Sequence, residues 1–166
     1  MKKRVLALLL ALLPLAVPAA EAVELPVEAP AALLMEKETG QVLYAENEHE
    51  KREPASVTKV MTLLLVMEAM ERGELKYEDT VTVSAGAASM GGSQVYLSEG
   101  EQITVEELLK AGGGSSGNDA AVALAEKVSG VTELFVQQMN NRAAELGMQD
   151  THFVNPTGLP AQGHVT

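Results

Sequence analysis

The stretch from Val60 to Met70 constrains the fold most, because apolar side chains cover nearly its whole circumference. Its apolar residues are Val60, Met61, Leu63, Leu64, Leu65, Val66, Met67 and Met70. A surface helix carries apolar residues along one stripe, whereas a helix that is apolar on most sides is buried among other elements. The sequence therefore predicts a buried central helix that begins near Ser56 and ends near Gly73.

Short strands are predicted on both sides of this helix. The apolar runs at residues 31–35 and 41–45 surround Gly40, which suits a positive φ angle, and this pattern predicts a β-hairpin. Residues 46–53 are strongly polar and are expected to be exposed. Residues 80–83 read Thr-Val-Thr-Val, an alternation typical of a short strand.

Three further helices are predicted towards the C-terminus. Thr104 and Glu107 fit a capping box, in which each side chain bonds the backbone of the other, so a helix begins there. Another helix is predicted from Asn118 to Val128, and a third from Val131 to Leu146, closed by Gly147. The elements together predict an α/β (α+β) domain.

A glycine run interrupts the first of these helices. It reads Gly112-Gly113-Gly114, followed by Ser115. Each glycine in a helix interior costs about 1 kcal/mol relative to alanine. The helix that begins at Thr104 is therefore expected to fray at about Ala111.

The first 22 residues predict a secretory signal peptide. Basic residues at positions 2–4 precede an apolar run at residues 5–17, and Ala20 to Ala22 supply the small residues that a signal peptidase reads. A permanent spanning helix needs roughly 20 apolar residues, so a retained anchor is the weaker alternative. The protein is expected to be exported, to the periplasm or the outer face of the cytoplasmic membrane. Residues 23–30, rich in Glu and Pro, are expected to form a lead-in linker.

Composition excludes several functions for the remaining chain. Residues 1–22 hold three basic and one acidic residue, so nine basic and 22 acidic residues remain, a net charge of −13. Nucleic acid is not an expected partner, because its binding depends on Lys and Arg that neutralise phosphates. The chain has no cysteine, so no disulfide can form. With only three scattered histidines (His49, His152 and His164), a structural zinc site is not expected.

Ser56 and Lys59 are the first candidates for catalysis. They lie three residues apart in the first helical turn, so both side chains share one face. A serine hydroxyl needs a neighbouring base, and a lysine can serve where burial and nearby positive charge lower its pKa. Backbone N–H groups at the helix start can also stabilise an oxyanion. The pair fits acyl transfer; the alternative is an N-capping serine beside a solvated lysine.

Ser116 and Asn118 form a second candidate pair at the start of a later helix. A hydroxyl and an amide at this spacing can relay a proton and hold a substrate amide. The alternative is a loop that ends in an Asn N-cap.

The surroundings of both pairs give a specific resemblance. The segment at residues 52–62 resembles the active-site segment of the low-molecular-mass penicillin-binding proteins, the serine-type D-alanyl-D-alanine carboxypeptidases of the peptidase S11 type. Four more segments resemble the same family in the same order, at residues 31–45, 90–97, 116–126 and 155–159. The resemblance implies a penicillin-binding-protein/β-lactamase-like transpeptidase fold, with an antiparallel sheet against a helical cluster. Residues 31–166 would form part of this catalytic domain, incomplete at the C-terminus.

The resemblance also implies residue roles. Ser56 would be acylated and Lys59 would be its general base. Ser116 would relay protons, and Asn118 would position the substrate's peptide carbonyl or the lysine. The substrate would be the D-alanyl-D-alanine end of the peptidoglycan stem peptide, which β-lactams such as penicillin mimic. Neither a metal nor an organic cofactor would be needed.

One motif of the family is missing from this sequence. The Lys-Thr-Gly motif of the substrate-lining strand does not occur in these residues, and the membrane anchor that some members of the family carry would also be missing. The chain alone is therefore expected to be poorly folded and inactive, which acylation by a fluorescent penicillin would test. An inactive truncated fragment or a β-lactam-binding remnant stays an alternative, as does a D,D-endopeptidase. A serine β-lactamase is the last alternative, although residues 145–149 do not fit its deacylation motif.

Overall fold

The computed structural model describes residues 27–166. The predicted signal peptide and residues 23–26 of the predicted linker therefore lie outside the described residues. The chain divides into two compact units, one ending at Glu48 and the other comprising His49–Thr166. Within residues 27–166, none of the helices combines the length and hydrophobicity that crossing a membrane requires.

The first unit contains the predicted β-hairpin. Strand β1 (Ala32–Met35) pairs antiparallel with strand β2 (Val42–Glu46), and the turn passes through Gly40 at a φ of +70°. The carboxylate of Glu36 accepts hydrogen bonds from the backbone N–H groups of Glu38 and Thr39, which ties the turn together. The predicted hairpin is confirmed. Its observed bounds differ from the predicted ones by one residue at the start of each strand and at the end of β2.

The second unit begins with the predicted central helix. A 3-10 turn (Ala55–Val57) leads into helix α1 (Thr58–Glu71), which stops before Gly73. The helix is buried on most sides, as predicted, since half of its residues are buried. One side stays open, where Val60 is 68% exposed and Met67 is 44% exposed. Periodicity reports which sides are apolar, but it does not report which of them another element covers.

A small sheet follows α1. Strand β3 (Thr80–Thr82) pairs antiparallel with strand β4 (Gln102–Thr104), and Val81 lies opposite Ile103. The alternation of residues 80–83 predicts the first strand, whereas β4 is not predicted from the sequence. Between the strands lies the short helix α2 (Ala85–Ala88).

Helix α3 (Val105–Gly114) corrects the prediction for the glycine run. The capping box of Thr104 and Glu107 is present, but the helix continues to Gly114 instead of fraying at Ala111. A Cβ atom built on Gly112 would lie 3.8 Å from Leu63, and one built on Gly113 would lie 3.4 Å from it. Both distances are ordinary contacts, so the glycines are not required for space. The helix persists despite its low propensity because α3 packs against α1 and against the helix that begins at Asn118.

The last two helices complete the core. Helix α4 (Asn118–Ser129) and helix α5 (Thr132–Glu145) match the predictions to within two residues, and Gly147 follows α5 at a φ of +77°. Helix α4 contacts α1, α2, α3 and α5, so it is the most enclosed helix of this unit. The largest buried apolar side chains include Val66, Leu108, Leu124, Phe135, Met139 and Phe153. Ser56 and Lys59 lie at the N-terminal end of α1, at the edge of this core.

Candidate active site

The start of α1 holds Ser56 and Lys59 next to each other. Pro54 precedes the 3-10 turn with a φ of −74°, close to the value that its ring imposes. Ala55 has a φ of +46°, a left-handed conformation that costs a residue with a side chain about 1–2 kcal/mol. Backbone strain of this kind persists only where surrounding structure imposes it, and it clusters at active sites. Directly after it, Ser56 Oγ lies 3.3 Å from Lys59 Nζ, so the two side chains share one face as their spacing predicts.

The side chain of Lys59 is buried without an acidic partner. The residue is only 4% exposed, and its Nζ donates a 2.8 Å hydrogen bond to the carbonyl oxygen of Thr157. Burial lowers the pKa of Lys59, and no carboxylate in residues 27–166 opposes this shift. A lowered pKa raises the fraction of neutral amine, which is the form that can accept the proton of Ser56.

The loop at residues 155–159 supplies the carbonyl that Lys59 contacts. Asn155 Oδ1 accepts hydrogen bonds from Thr157 N (3.0 Å), Thr157 Oγ1 (2.9 Å) and Gly158 N (2.7 Å). Its Nδ2 donates to the carbonyl oxygen of Leu159 at 2.9 Å. One side chain therefore fixes the backbone on both sides of Thr157.

Two further contacts attach this loop to the start of α1. Thr62 Oγ1 donates a 2.7 Å hydrogen bond to the carbonyl oxygen of Pro156. Gly158 has a φ of +85°, and a Cβ atom built on it would lie 1.7 Å from the carbonyl oxygen of Ala55 and 3.0 Å from Ser56 N. Only glycine allows the two backbones to approach this closely.

His164 forms a buried hydrogen bond with the first residue of α1, Thr58. Its Nδ1 accepts a 3.0 Å hydrogen bond from Val154 N, so its Nε2 carries the proton and donates to Thr58 Oγ1 at 2.8 Å. The residue is 2% exposed. Burial is the main cause that lowers the pKa of His164; His152 lowers it further, and Glu53 acts in the opposite direction. The neutral imidazole of His164 therefore holds Thr58, the residue directly before Lys59.

Ser116 and Asn118 lie at the start of α4, where the sequence places them. Ser116 has a φ of +56°, another left-handed residue with a side chain. Asn118 is buried; its backbone N–H donates to the carbonyl oxygen of Ser93, and its Nδ2 donates to that of Gly91 at 2.7 Å. No hydrogen bond within residues 27–166 joins Ser116 or Asn118 to Ser56 or Lys59. The structure therefore brings the first pair together and does not connect it directly to the second.

Gly92 shows that the two pairs nevertheless lie on adjoining segments. A Cβ atom built on Gly92 would lie 2.8 Å from Asn118 Nδ2 and 3.4 Å from Leu159 Cδ2. Leu159 directly follows Gly158, which packs on the backbone of Ala55. The segment between α2 and β4 thus approaches both Asn118 and the loop that packs on the backbone of Ala55 and Ser56.

The buried carboxylate of Asp119 holds a neighbouring segment of this site. It is fully buried and accepts hydrogen bonds from Val95 N and Leu97 N. Tyr96, between these two residues, has a φ of +62° and is 81% exposed. Asp119 therefore fixes a strained backbone that presents an aromatic side chain to solvent.

Sequence reasoning missed the supporting residues of this site. The resemblance covers residues 155–159 but assigns them no role, and the sequence gives no reason to single out His164. The only local signal was the turn-forming sequence Asn-Pro-Thr-Gly, which predicts a loop but gives no information about its partner. In the part of the chain that the structure describes, no three Asp, Glu, His or Cys side chains are grouped so as to hold a metal ion.

Comparison with known proteins identifies the family. The model of the D-alanyl-D-alanine carboxypeptidase family, peptidase S11, matches residues 18–166. The D-alanyl-D-alanine carboxypeptidase DacF of Bacillus subtilis is 54% identical over 141 residues, which make up 85% of this chain and 36% of that protein.

Solved structures agree with this result. The D-alanyl-D-alanine carboxypeptidase DacD of Francisella tularensis superposes with a TM-score of 0.82 at 39% identity, over 86% of this chain and 34% of that one. Penicillin-binding protein 5 of Haemophilus influenzae gives a TM-score of 0.80 at 34% identity, over 83% of this chain and 41% of that one. This chain thus spans about a third to two fifths of its relatives, and it has part of the penicillin-binding-protein fold, as the sequence predicts. The chain belongs to the D-alanyl-D-alanine carboxypeptidase family, peptidase S11.

Proposed function

We propose that the protein carrying this chain is a serine D-alanyl-D-alanine carboxypeptidase that removes the terminal D-alanine from peptidoglycan stem peptides. The observation that supports this function best is the 3.3 Å contact between Ser56 Oγ and the Nζ of Lys59, which is buried and has no carboxylate partner within residues 27–166. A serine beside an amine of lowered pKa is an activated nucleophile. The names of the relatives give the same activity, and they do not favour a β-lactamase.

The reaction proceeds through a serine ester. Neutral Lys59 accepts the proton of Ser56 as Oγ attacks the carbonyl carbon between the two D-alanines. Backbone N–H groups at the start of the helix stabilise the oxyanion that forms. The C–N bond then breaks, the leaving amine takes up a proton, and D-alanine departs. Water hydrolyses the ester and regenerates Ser56.

Ser116 and Asn118 take the remaining roles. Ser116 relays the proton between Lys59 and the leaving amine. Asn118 positions the substrate's peptide carbonyl or Lys59. Its Nδ2 donates one N–H to the carbonyl oxygen of Gly91 and keeps a second N–H for the substrate, and its Oδ1 can accept from Lys59 Nζ. Penicillin and other β-lactams acylate Ser56 in place of the substrate; the Haemophilus influenzae neighbour is named a penicillin-binding protein. The reaction needs no cofactor.

The proposal places this chemistry outside the cytoplasm. Its basis is the N-terminal sequence, where residues 1–22 have the pattern of a signal peptide. Expression with and without residues 1–22, followed by cell fractionation, tests the location. Cytoplasmic retention of both forms would contradict it.

Acylation and product analysis test the activity. The protein that carries this chain is incubated with a synthetic stem pentapeptide and with a fluorescent penicillin. We expect release of free D-alanine and a single penicillin adduct on the peptide that contains Ser56, both lost in Ser56→Ala. Ser84→Ala, which changes a serine that caps α2, is the matched control and should retain both activities. Undiminished D-alanine release by Ser56→Ala would refute the mechanism, and cleavage of cross-linked peptides alone would indicate an endopeptidase.

A further inference from the structure

We propose that Asn155 is a positioning residue, which sets the location of Lys59 Nζ through the carbonyl group of Thr157. The inference rests on the proposed function, because it assigns Lys59 the role of base. Asn155 does not contact Ser56 or Lys59 itself, and neither its residue type nor its spacing suggests a catalytic role.

Lys59 has few hydrogen-bond partners among residues 27–166. Its Nζ makes two hydrogen bonds, to Ser56 Oγ at 3.3 Å and to the carbonyl oxygen of Thr157 at 2.8 Å. The Thr157 contact is the shorter one, and its partner is a main-chain atom. The place of the amine therefore depends on how the backbone of Thr157 is oriented.

The side chain of Asn155 determines how the Thr157 carbonyl is oriented. Its Oδ1 accepts from the N–H groups of both Thr157 and Gly158, which flank the carbonyl in question on either side. It also accepts from Thr157 Oγ1, so the side chain of Thr157 is fixed as well. Rotation of the Thr157 peptide group would break at least one of these hydrogen bonds.

Packing alone does not hold this loop in place. Asn155 and Thr157 border a cavity of about 420 Å³, whose other wall includes Glu126, Val131 and Glu133. A segment that faces a cavity lacks close-packed neighbours on that side. The hydrogen bonds of Asn155 therefore contribute a larger share of the constraint than they would in a filled core.

An asparagine suits this position because it is a neutral acceptor. An aspartate could accept the same hydrogen bonds, but its charge would stabilise the ammonium form and raise the pKa of Lys59. It would also lose the donor to the carbonyl oxygen of Leu159. Asn155→Asp and Asn155→Ala thus separate two effects: the first alters the charge near the base, and the second releases the loop.

Asn140 provides a matched control. Its Oδ1 accepts from Phe153 N at 2.8 Å, and its Nδ2 donates to the carbonyl oxygen of Phe153 at 2.8 Å. It therefore also holds a backbone segment through both atoms of its amide, but it makes no bond to the segment at residues 155–159. Asn140→Ala should lower stability in the same way without affecting Lys59.

The experiment combines acylation kinetics with a titration. In the protein that carries this chain, the rate of acylation by a fluorescent penicillin is measured against pH for wild type, Asn155→Ala, Asn155→Asp and Asn140→Ala, each corrected for its folded fraction. The titration of Lys59 Nζ is followed by NMR in labelled protein. We expect Asn155→Ala to acylate about 10- to 100-fold more slowly, since a misplacement of about 1 Å can cost that much. Asn155→Asp should shift both the pH profile and the Lys59 titration to higher pH.

The controls decide between positioning and stability. A wild-type rate, profile and Lys59 titration in both Asn155 variants would overturn the proposal, as would an equal fall in Asn140→Ala. If wild type itself is not acylated, the proposed function fails. The Lys59 titration still tests the positioning role in that case, because it does not depend on activity.

Discussion

Replacing Gly158 by alanine should disturb the position of Lys59 relative to Ser56 more than replacing any other described glycine by alanine. A Cβ atom at this position would lie 1.7 Å from the carbonyl oxygen of Ala55, whereas real Cβ contacts below 3.0 Å essentially do not occur. The two backbones would have to separate by more than 1 Å to make room. Since Gly158 directly follows Thr157 and packs on the backbone of Ala55, this separation would move the Thr157 carbonyl, and Lys59 with it, away from Ser56.

The magnitude follows from two contributions. The φ of +85° costs an alanine about 1–2 kcal/mol, and the overlap adds about 1–3 kcal/mol, as overpacking of a core does. The free energy of unfolding should therefore fall by about 2–5 kcal/mol. Gly163 is the matched control, because its φ is +82° but the nearest atom to its Cβ would be 3.9 Å away. For Gly163→Ala, the free energy of unfolding should fall only by the cost of the positive φ, about 1–2 kcal/mol.

Urea unfolding and penicillin acylation together test this reasoning. The slope of the unfolding transition should stay constant while its midpoint falls further for Gly158→Ala than for Gly163→Ala. Among molecules that stay folded, Gly158→Ala should acylate about 100-fold more slowly, and Gly163→Ala at the wild-type rate. Equal midpoints for the two variants, together with wild-type acylation by Gly158→Ala, would show that the backbones do not meet as described.

Two further changes test the packing of α3 and the protonation of the site. Gly112→Ala should stabilise the protein by about 1 kcal/mol, because helix propensity improves and its Cβ would make an ordinary 3.8 Å contact with Leu63; an unchanged or lower melting temperature would contradict this. His164 has a pKa below its ordinary value of 6.5, through burial and His152 and against the effect of Glu53, so its neutral form is favoured by folding. This contribution is complete above pH 6.5 and is lost as pH falls below it, so the stability advantage over His164→Gln should shrink in acid; a difference that does not change with pH would refute it.

Local patterns predicted the elements of this fold well, and failures began where packing decides. The hairpin, the capping box at Thr104 and the helices from Asn118 and Thr132 each depend on residues close in sequence. The glycine run is different, since propensity alone predicts that the helix frays. Its outcome depends on the packing of α3 against α1, about fifty residues earlier, and against α4, and residues 112–114 by themselves carry no information about those contacts.

The candidate site divides in the same way. The spacing of Ser56 and Lys59 places both on one helical face, and that much is local. Burial of Lys59, which lowers its pKa, depends on a loop nearly a hundred residues further along the chain. A buried acceptor such as Asp119 also gives no local signal, because an acidic residue in the first turn of a helix usually only complements the helix dipole.

The apolar pattern of α1 and the chemistry at its start therefore have different physical origins. Hydrophobic residues alone could bury Met61 and Val66, and they would leave Ser56 and Lys59 as an ordinary pair at a solvated helix end. Three polar attachments change this: Thr62 to Pro156, Thr58 to His164, and Lys59 to Thr157, all between residues about a hundred positions apart. Each bond satisfies a buried polar group of α1 with one from the 155–164 segment, so neither segment can leave without exposing unpaired donors and acceptors to the core. The reactivity of Ser56 is thus coupled to the order of that segment, which is why small changes at Asn155 and Gly158 should affect catalysis more than larger changes on the exposed face of α1.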